Sequence, residues 1–177
     1  MPCSHTAAKS TAVQEIEYLR RWYARATDLL GVATKESTAE GRAIYHRIFS
    51  PNVTFIISGP DAKPRPATGP DSWVDVVLDA LAPLGPTQHL IGTQLVEIQS
   101  LVLNDNCEII EGRAHMQSYV QAWHEMPHDK VWLFLGTYID EVEFKPDVGW
   151  QIQQMELRRV TGETRPMDES VATAPSS

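Results

Sequence analysis

The side chains in this sequence that can move a proton near neutral pH are its six histidines, and only His89 lies in a strongly apolar segment. It follows a proline-rich turn and precedes Leu90 and Ile91. Such a histidine acts as a general base when a carboxylate fixes its tautomer and raises its basicity. Asp28 is the leading candidate for that carboxylate, because it lies one turn before the end of a predicted helix, where the helix dipole disfavours negative charge. The pair could abstract a proton from a substrate, although a core histidine and a surface aspartate would also fit these positions.

Motifs for other common chemistries are absent from the sequence. It contains no glycine-rich dinucleotide or phosphate loop and no Gly-x-Ser-x-Gly turn. His124 and His128 have the i, i+4 spacing of zinc ligands on a helix, but Pro127 between them forbids a continuous helix. We therefore predict no metal site and interpret this segment as the solvated end of a hairpin.

Charge and composition predict a cytoplasmic domain that binds neither nucleic acid nor a membrane. The 177 residues are 42% hydrophobic and carry a formal net charge of −8, from 15 Lys and Arg against 23 Asp and Glu. A chain without a basic cluster is poorly suited to nucleic acid or to an anionic bilayer. No apolar run is long enough to span a membrane, and no secretory signal is visible. Cys3 and Cys107 form no disulfide framework, so we expect two free thiols in a reducing cytoplasm.

Hydrophobic periodicity predicts a first helix from about Thr11 to Leu30. Gly31 is a suitable stop for it, and Arg20 lies at the margin of its apolar stripe or outside it. The residues before this helix are small and polar, and those from Gly162 onward are polar and proline-containing. We therefore place the folded domain at residues 12–162, between disordered segments at 1–11 and 163–177.

Two further helices and a short strand are predicted in the first half of the chain. The capping-box spacing of Ser37 and Glu40 predicts the start of the second helix, and Pro51 predicts its end. The β-branched segment 53–57 predicts a strand. A third helix is predicted to begin at Gly69-Pro70-Asp71, since proline suits the first turn and aspartate suits the positive end of the helix dipole.

The second half of the chain predicts strands only. Turns are predicted at 104–106 and 146–149, and sequential strands joined by short turns are normally antiparallel. Both faces of these strands carry apolar side chains, so we expect helices on one face and a partner subunit on the other. Three helices followed by a long, curved antiparallel sheet give an α+β fold, a cone with room inside for a small ligand. The predicted strands span 88–99, 108–124, 131–144 and 150–160.

Several segments, in this order and spacing, resemble the SnoaL-like, scytalone-dehydratase-like branch of the nuclear-transport-factor-2-like superfamily. The resemblance covers roughly residues 12–162 and implies a cone-shaped α+β barrel. The segments that carry it are Trp22-Tyr23, Thr27-Asp28, Ser50-Pro51-Asn52-Val53, Thr87-Gln88-His89-Leu90-Ile91-Gly92, Gly136-Thr137-Tyr138-Ile139-Asp140 and Gly149-Trp150-Gln151-Ile152.

The resemblance implies roles for specific residues. Enzymes of this branch use an Asp–His dyad without metal or organic cofactor, and its two positions match Asp28 and His89. Tyr138 and Asp140 match positions that line the family pocket. Tyr119 falls near the position of a second catalytic histidine in scytalone dehydratase, so we expect this chain to lack that acid.

Further candidate contacts to substrate come from aromatic side chains. Tyr138, Tyr119 and Tyr23 carry hydroxyls that could donate to an oxyanion or a leaving group. Trp123 is also a candidate, although a core or interface position is the simpler interpretation of it.

Three hypotheses of function follow. The first is a cofactor-independent lyase that dehydrates a small hydrophobic, polyketide or aromatic metabolite by means of His89 and Asp28. The second is an isomerase or cyclase on the same scaffold with Asp140 as the base. The third is a non-catalytic small-molecule-binding module, because fold alone does not imply function. In each case we expect a homodimer or higher homo-oligomer.

Overall fold

The computed structural model describes residues 5–167, and within that range the chain forms three helices and six strands. No helix in this range is long and apolar enough to cross a membrane. The elements are α1 (His5–Val32), α2 (Lys35–Ile48), β1 (Phe49–Ser58), β2 (Ala67–Thr68), α3 (Pro70–Leu81), β3 (Thr87–Leu103), β4 (Ile109–Met126), β5 (Lys130–Lys145) and β6 (Gly149–Pro166).

Helix α1 begins earlier than the sequence predicts. It starts at His5, so residues 5–11 are helical rather than disordered. It ends one residue after Gly31, where a Cβ atom would lie 2.3 Å from Thr87 Cγ2. Glycine therefore lets the end of α1 approach the start of β3. The predicted apolar stripe is buried at Ile16, Leu19, Tyr23, Thr27 and Leu30.

The N-terminus of α2 is capped one turn earlier than predicted. Thr34 is the N-cap, and its Oγ1 accepts a hydrogen bond from the Ser37 N–H at 3.1 Å. Ser37 Oγ in turn accepts from the Thr34 N–H at 3.1 Å. The predicted box from Ser37 to Glu40 is wrong, because Ser37 takes the closing role that glutamate or glutamine usually fills. Helix α3 begins at Pro70 with Gly69 as its N-cap, as predicted.

The strands form one open, mixed sheet among the described residues, in the order β2-β1-β6-β5-β4-β3. Strands β3 to β6 pair with their sequence neighbours in antiparallel fashion, as predicted. Strand β1 pairs with β6 in parallel, with Phe55 opposite Met155, so the sheet is not antiparallel throughout. The parallel pair is possible because most of the domain, rather than a hairpin, connects the two strands. The predicted α+β architecture of three helices packed against a long sheet is confirmed.

Strand β6 extends beyond its predicted end. It continues to Pro166, which pairs with Lys130 at the start of β5. Residues 163–166 are therefore strand, although the sequence predicts disorder there. Residues 168–177 of that predicted disordered segment lie outside the described residues, and so do residues 1–4.

Alternation along β4 separates the two faces of the sheet. The inner face carries small or apolar side chains and is buried beneath the helices, whereas the outer face is largely exposed. The partner subunit expected on the outer face stays a prediction. Buried inner-face residues are Ala114, Met116, Ser118, Val120 and Ala122, and exposed apolar residues of the outer face include Leu90, Leu95 and Tyr119.

Arg20 is fully buried, although the sequence predicts it at the margin of the α1 stripe. Its guanidinium forms an ion pair with Asp140 of β5, and Nη1 lies 3.4 Å from Met155 Sδ. The guanidinium carbon also lies 3.9 Å from the ring centroid of Tyr138 and 4.5 Å from that of Tyr23. A buried charge needs such a partner. Sequence periodicity could not reveal this one, because Asp140 lies 120 positions away along the chain.

Cys107 is disulfide-bonded, so the expectation of two free thiols is wrong. It precedes β4 and follows the turn at 104–106. The other cysteine of the sequence, Cys3, lies outside the described residues.

Replacing Asp140 by asparagine is expected to lower the free energy of unfolding by about 3–5 kcal/mol, because Arg20 would keep its charge in a buried site without a counter-ion. Urea denaturation followed by circular dichroism measures this change. The matched control Asp147→Asn, at an exposed turn, should change the free energy of unfolding by less than about 0.5 kcal/mol. Equally small changes in both variants would contradict a stabilising role for the buried pair.

Candidate active site

Asp28 and His89 form a hydrogen-bonded pair between α1 and β3. Asp28 Oδ1 lies 2.7 Å from His89 Nδ1 and also accepts a hydrogen bond from the His89 backbone N–H at 3.0 Å. The His89 side chain is 8% exposed and that of Asp28 is 21% exposed. Because an ionised carboxylate can only accept, Nδ1 carries the proton of this bond. The Nε2 lone pair of neutral His89 is then free to accept a proton from another molecule.

The close approach of two elements positions this pair. Asp28 lies one turn before the end of α1, and His89 is the third residue of β3. Gly31 and Thr87 meet where the two elements converge. Two hydrogen bonds from His89 hold the carboxylate and offset the unfavourable dipole at the helix end.

A cavity of about 350 Å³ lies between the helices and the inner face of the sheet, and His89 forms part of its wall. This volume is in the range of small-ligand pockets. Asp28 contacts His89 and is not itself part of the wall. The apolar lining includes Trp73, Val76, Val77, Leu81, Trp132 and Phe134.

A second imidazole, that of His124, also lines the cavity. It is 2% exposed, and its ring centroid lies 5.7 Å from that of His89. Its Nδ1 lies 2.7 Å from Thr87 Oγ1, and its ring stacks on Trp132 at 4.6 Å. Burial lowers the pKa of His124 to about 4, with a smaller contribution from neighbouring His89, so its imidazole is neutral at neutral pH.

His124 is not among the residues predicted for the site, because the sequence pattern around it indicates the solvated end of a hairpin. The resemblance led us to expect no second catalytic histidine, and the cavity wall nevertheless contains a second imidazole, that of His124. A usable signal was present, because the alternating inner-face positions of β4 lead in steps of two from Ala114 to His124. His128, by contrast, is exposed in the turn after β4.

Tyr23 and Tyr138 both line the cavity, where the sequence analysis expects substrate contacts. The hydroxyl of Tyr23 accepts a hydrogen bond from Trp73 Nε1 at 3.2 Å. Tyr138 is 2% exposed, and burial raises the pKa of its hydroxyl well above the ordinary value. Tyr138 therefore remains protonated at neutral pH and can serve as a hydrogen-bond donor.

Three other candidate residues do not reach the cavity. Tyr119 and Trp123 lie on the outer face of β4, because the side chains of a strand alternate and the even-numbered residues face inward here. Tyr119 is 57% exposed, and Trp123 contacts the guanidinium of Arg165 at 5.5 Å. Asp140 is fully buried, but it is bound to Arg20 and is not part of the cavity wall. The expectation that these three residues contact substrate is therefore wrong, because none of their side chains lines the cavity.

Within residues 5–167, no group of three or more histidine, cysteine, aspartate or glutamate side chains could hold a metal ion. The ionisable groups of the inner cavity wall are two histidines, His89 and His124, and two tyrosines, Tyr23 and Tyr138. Their chemistry suits proton transfer and hydrogen bonding to a developing oxyanion.

Three solved structures illustrate the fold. A protein from Novosphingobium aromaticivorans, provisionally named a scytalone dehydratase, has 19% sequence identity and a TM-score of 0.66, over 89% of this chain and 90% of that one. A protein from Streptomyces avermitilis, provisionally named a dehydratase of the nuclear-transport-factor-2-like family, has 12% identity and a TM-score of 0.57, over 86% and 99%. A nuclear-transport-factor-2-like superfamily protein from Salmonella enterica has 14% identity and a TM-score of 0.57, over 84% and 91%. Similarity at these identities shows the fold alone.

Sequence comparison identifies the family. No curated protein sequence matches the chain. Residues 42–156, well over half of the 177, match the SnoaL-like domain. The match and the shared fold agree with the resemblance seen in the sequence, and this protein belongs to the SnoaL-like domain family.

Proposed function

We propose that this protein is a cofactor-independent lyase that eliminates water from a small apolar metabolite, with His89 as the general base. Family and fold support a small-molecule-binding protein or an enzyme of dehydratase or isomerase type. The observation that supports the finer proposal is the 2.7 Å contact between His89 Nδ1 and Asp28 Oδ1 beside an apolar cavity.

His89 is suited to remove a proton from a carbon next to a carbonyl group. Asp28 holds the proton on Nδ1, which directs the basic lone pair to Nε2. When Nε2 takes up the substrate proton, the imidazolium gains a charge-assisted hydrogen bond to the carboxylate. The apolar wall limits water at the reacting atoms and strengthens this interaction.

The same imidazole can complete the elimination. The C–H electron pair forms the carbon–carbon double bond, and the bond from carbon to the hydroxyl oxygen breaks. The proton on His89 Nε2 then passes to the departing hydroxide, which leaves as water. His89 returns to its neutral form, so the reaction balances without an additional acid.

His124 and Tyr138 are the groups that we assign to the developing oxyanion. Both line the cavity together with His89, and both are almost fully buried. In the tautomer in which the Thr87 hydroxyl donates to Nδ1, neutral His124 carries its proton on Nε2, available to a ligand oxygen. One such donor contributes on the order of 10²–10³-fold to turnover in other enzymes.

Isomerisation is the second candidate function, because a base that takes a proton from carbon can return it to another carbon. The contact between His89 and Asp28 would serve that reaction equally. Asp140 is unsuited to act as the base of the isomerase, because its carboxylate is ion-paired with Arg20 and does not line the cavity.

Replacing His89 by alanine, or Asp28 by asparagine, is expected to lower kcat at least about 100-fold, because each change removes the oriented base. A panel of aromatic β-hydroxy ketones, assayed for loss of water by mass spectrometry, measures turnover. The control His128→Ala, in an exposed turn, should retain full activity. Full activity in either dyad variant would rule out the proposed base.

Reactions in D₂O separate elimination from isomerisation. Elimination releases the abstracted proton with water and forms no new C–H bond in the product, which has the composition of the substrate minus water. An isomerase whose His89 exchanges its proton with solvent would instead give a product of unchanged composition that carries deuterium on carbon. That second outcome would contradict the lyase and favour the isomerase.

His124 is expected to titrate near pH 4, because burial lowers its pKa from 6.5 to about 4. Protonation then favours the unfolded chain, so the stability due to neutral His124 is complete above pH 6.5 and is lost as the pH falls toward 4. As the pH falls from 6.5 to 4, the free energy of unfolding of the wild type should therefore decrease by roughly 2–3 kcal/mol more than that of His124→Gln.

Urea denaturation across this pH range, with NMR titration of the imidazoles, checks the result. The control His128→Gln, at an exposed position, should follow wild type. An equally steep loss of stability in His124→Gln would argue against a buried neutral imidazole.

A further inference from the structure

The cavity has a cationic open side, although the protein carries a formal net charge of −8. Among the described residues that line it, Lys63, Arg65 and Arg159 are positive and Asp61 is the one carboxylate. Three positive charges and one negative charge give these four side chains a formal sum of +2, and Asp79, which binds Arg65 without lining the cavity, lowers the local sum to +1. A local charge opposite in sign to that of the molecule attracts anions to this side of the cavity.

The loop that carries two of these cations, residues 59–66, is attached to both neighbouring walls. Arg159 of β6 donates from Nη1 to the Pro60 carbonyl at 2.9 Å. Arg65 Nη1 donates to Asp79 Oδ2 of α3 at 2.5 Å. These contacts hold the loop between β6 and α3, so its cations have a defined position relative to the cavity.

Lys63 and Arg65 retain donors for a ligand. Lys63 forms no ion pair with any residue between positions 5 and 167. Arg65 contacts Asp79 through one of its five N–H groups. The guanidinium fork and the ammonium group are the side-chain types that bind carboxylates in proteins.

We propose that the substrate is an apolar, aromatic-sized molecule with one carboxylate, which Lys63 and Arg65 bind at the open side of the cavity. The aromatic and aliphatic wall accepts the apolar body of the substrate. The carboxylate lies at the open side, because an ionised group deep in the cavity would lose its hydration without gaining a partner. The carboxylate is distinct from the carbonyl that activates the C–H bond. This inference rests on the proposed function, because it concerns the substrate class of the same site.

Two related probes test the charge requirement directly. Naphthalene-1-acetate and naphthalene-1-acetamide have nearly the same shape, but only the first is an anion. NMR titration measures both dissociation constants, and the indole N–H signals of Trp73 and Trp132 report binding inside the cavity. We expect wild type to prefer the carboxylate roughly three- to thirtyfold, as for two partly exposed charge contacts.

Variants then assign the preference to the cations. Lys63→Ala combined with Arg65→Ala should reduce the preference to less than about twofold while binding of the amide is unchanged. Arg158→Ala is the matched control, because Arg158 is a neighbouring exposed cation that does not line the cavity. It should preserve the preference. Wild type that binds both probes equally, or a carboxylate that leaves the indole signals unperturbed, would overturn the proposal.

His89→Ala separates this inference from the proposed function. The preference for carboxylate should persist in His89→Ala, even though turnover is lost. A preference that disappears in His89→Ala and survives in the Lys63 and Arg65 double variant would overturn the inference and leave the general base in place. If His89→Ala loses turnover but replacing Lys63 and Arg65 does not change binding of the carboxylate, the inference is likewise overturned and the general base stays in place.

Discussion

One oxygen atom, Asp28 Oδ1, connects the first helix to the first long strand by accepting hydrogen bonds from both the backbone and the imidazole of His89. The backbone bond fixes where β3 begins relative to α1, and the imidazole bond fixes the tautomer of the ring. A larger residue at position 31 would force the end of α1 and the start of β3 to shift relative to each other, since its Cβ would lie 2.3 Å from Thr87 Cγ2. The packing of the helix end and the tautomer of the His89 imidazole thus depend on the same contact.

The interior contains a second, separate polar arrangement. Arg20 and Asp140 neutralise each other beneath the ring of Tyr138, which itself lines the cavity. Because its two charges cancel, this ion pair adds no net charge beside the cavity, and the guanidinium contacts one face of the tyrosine ring. The cavity wall near His89 therefore consists of neutral donors and apolar surface, an environment that suits the proton abstraction we propose.

Local patterns predicted most of the elements, because they depend on nearby residues. The buried stripe of α1, the Gly69-Pro70 start of α3 and two of the three turns that connect β3 to β6 were all predicted from the sequence. Two of the wrong predictions have other causes: one residue has an interaction partner that is distant along the chain, and one motif uses an unusual residue type. Periodicity could not find the counter-ion of Arg20, and the capping box of α2 uses Ser37 where glutamate is usual.

The candidate site, too, could be predicted only in part from the sequence. The sequence and its resemblance to a known family suggested Asp28 and His89, and the structure places them in contact. Whether residues 119, 123 and 124 face the cavity depends on the pleat of β4, which the sequence analysis did not follow to the end of the strand. His124 was missed for that reason, and Tyr119 and Trp123 were assigned to the wrong face.

The parallel pairing of β1 with β6 bears on how the chain is made. Phe55 lies opposite Met155, 100 positions later. At synthesis rates of about 5–20 residues per second, the apolar segment 53–57 is synthesised roughly 5–20 s before its partner strand. An unpaired strand edge of this composition favours intermolecular association. The nascent chain therefore passes through an interval in which chaperone binding competes with aggregation, and which closes only when the last strand is added.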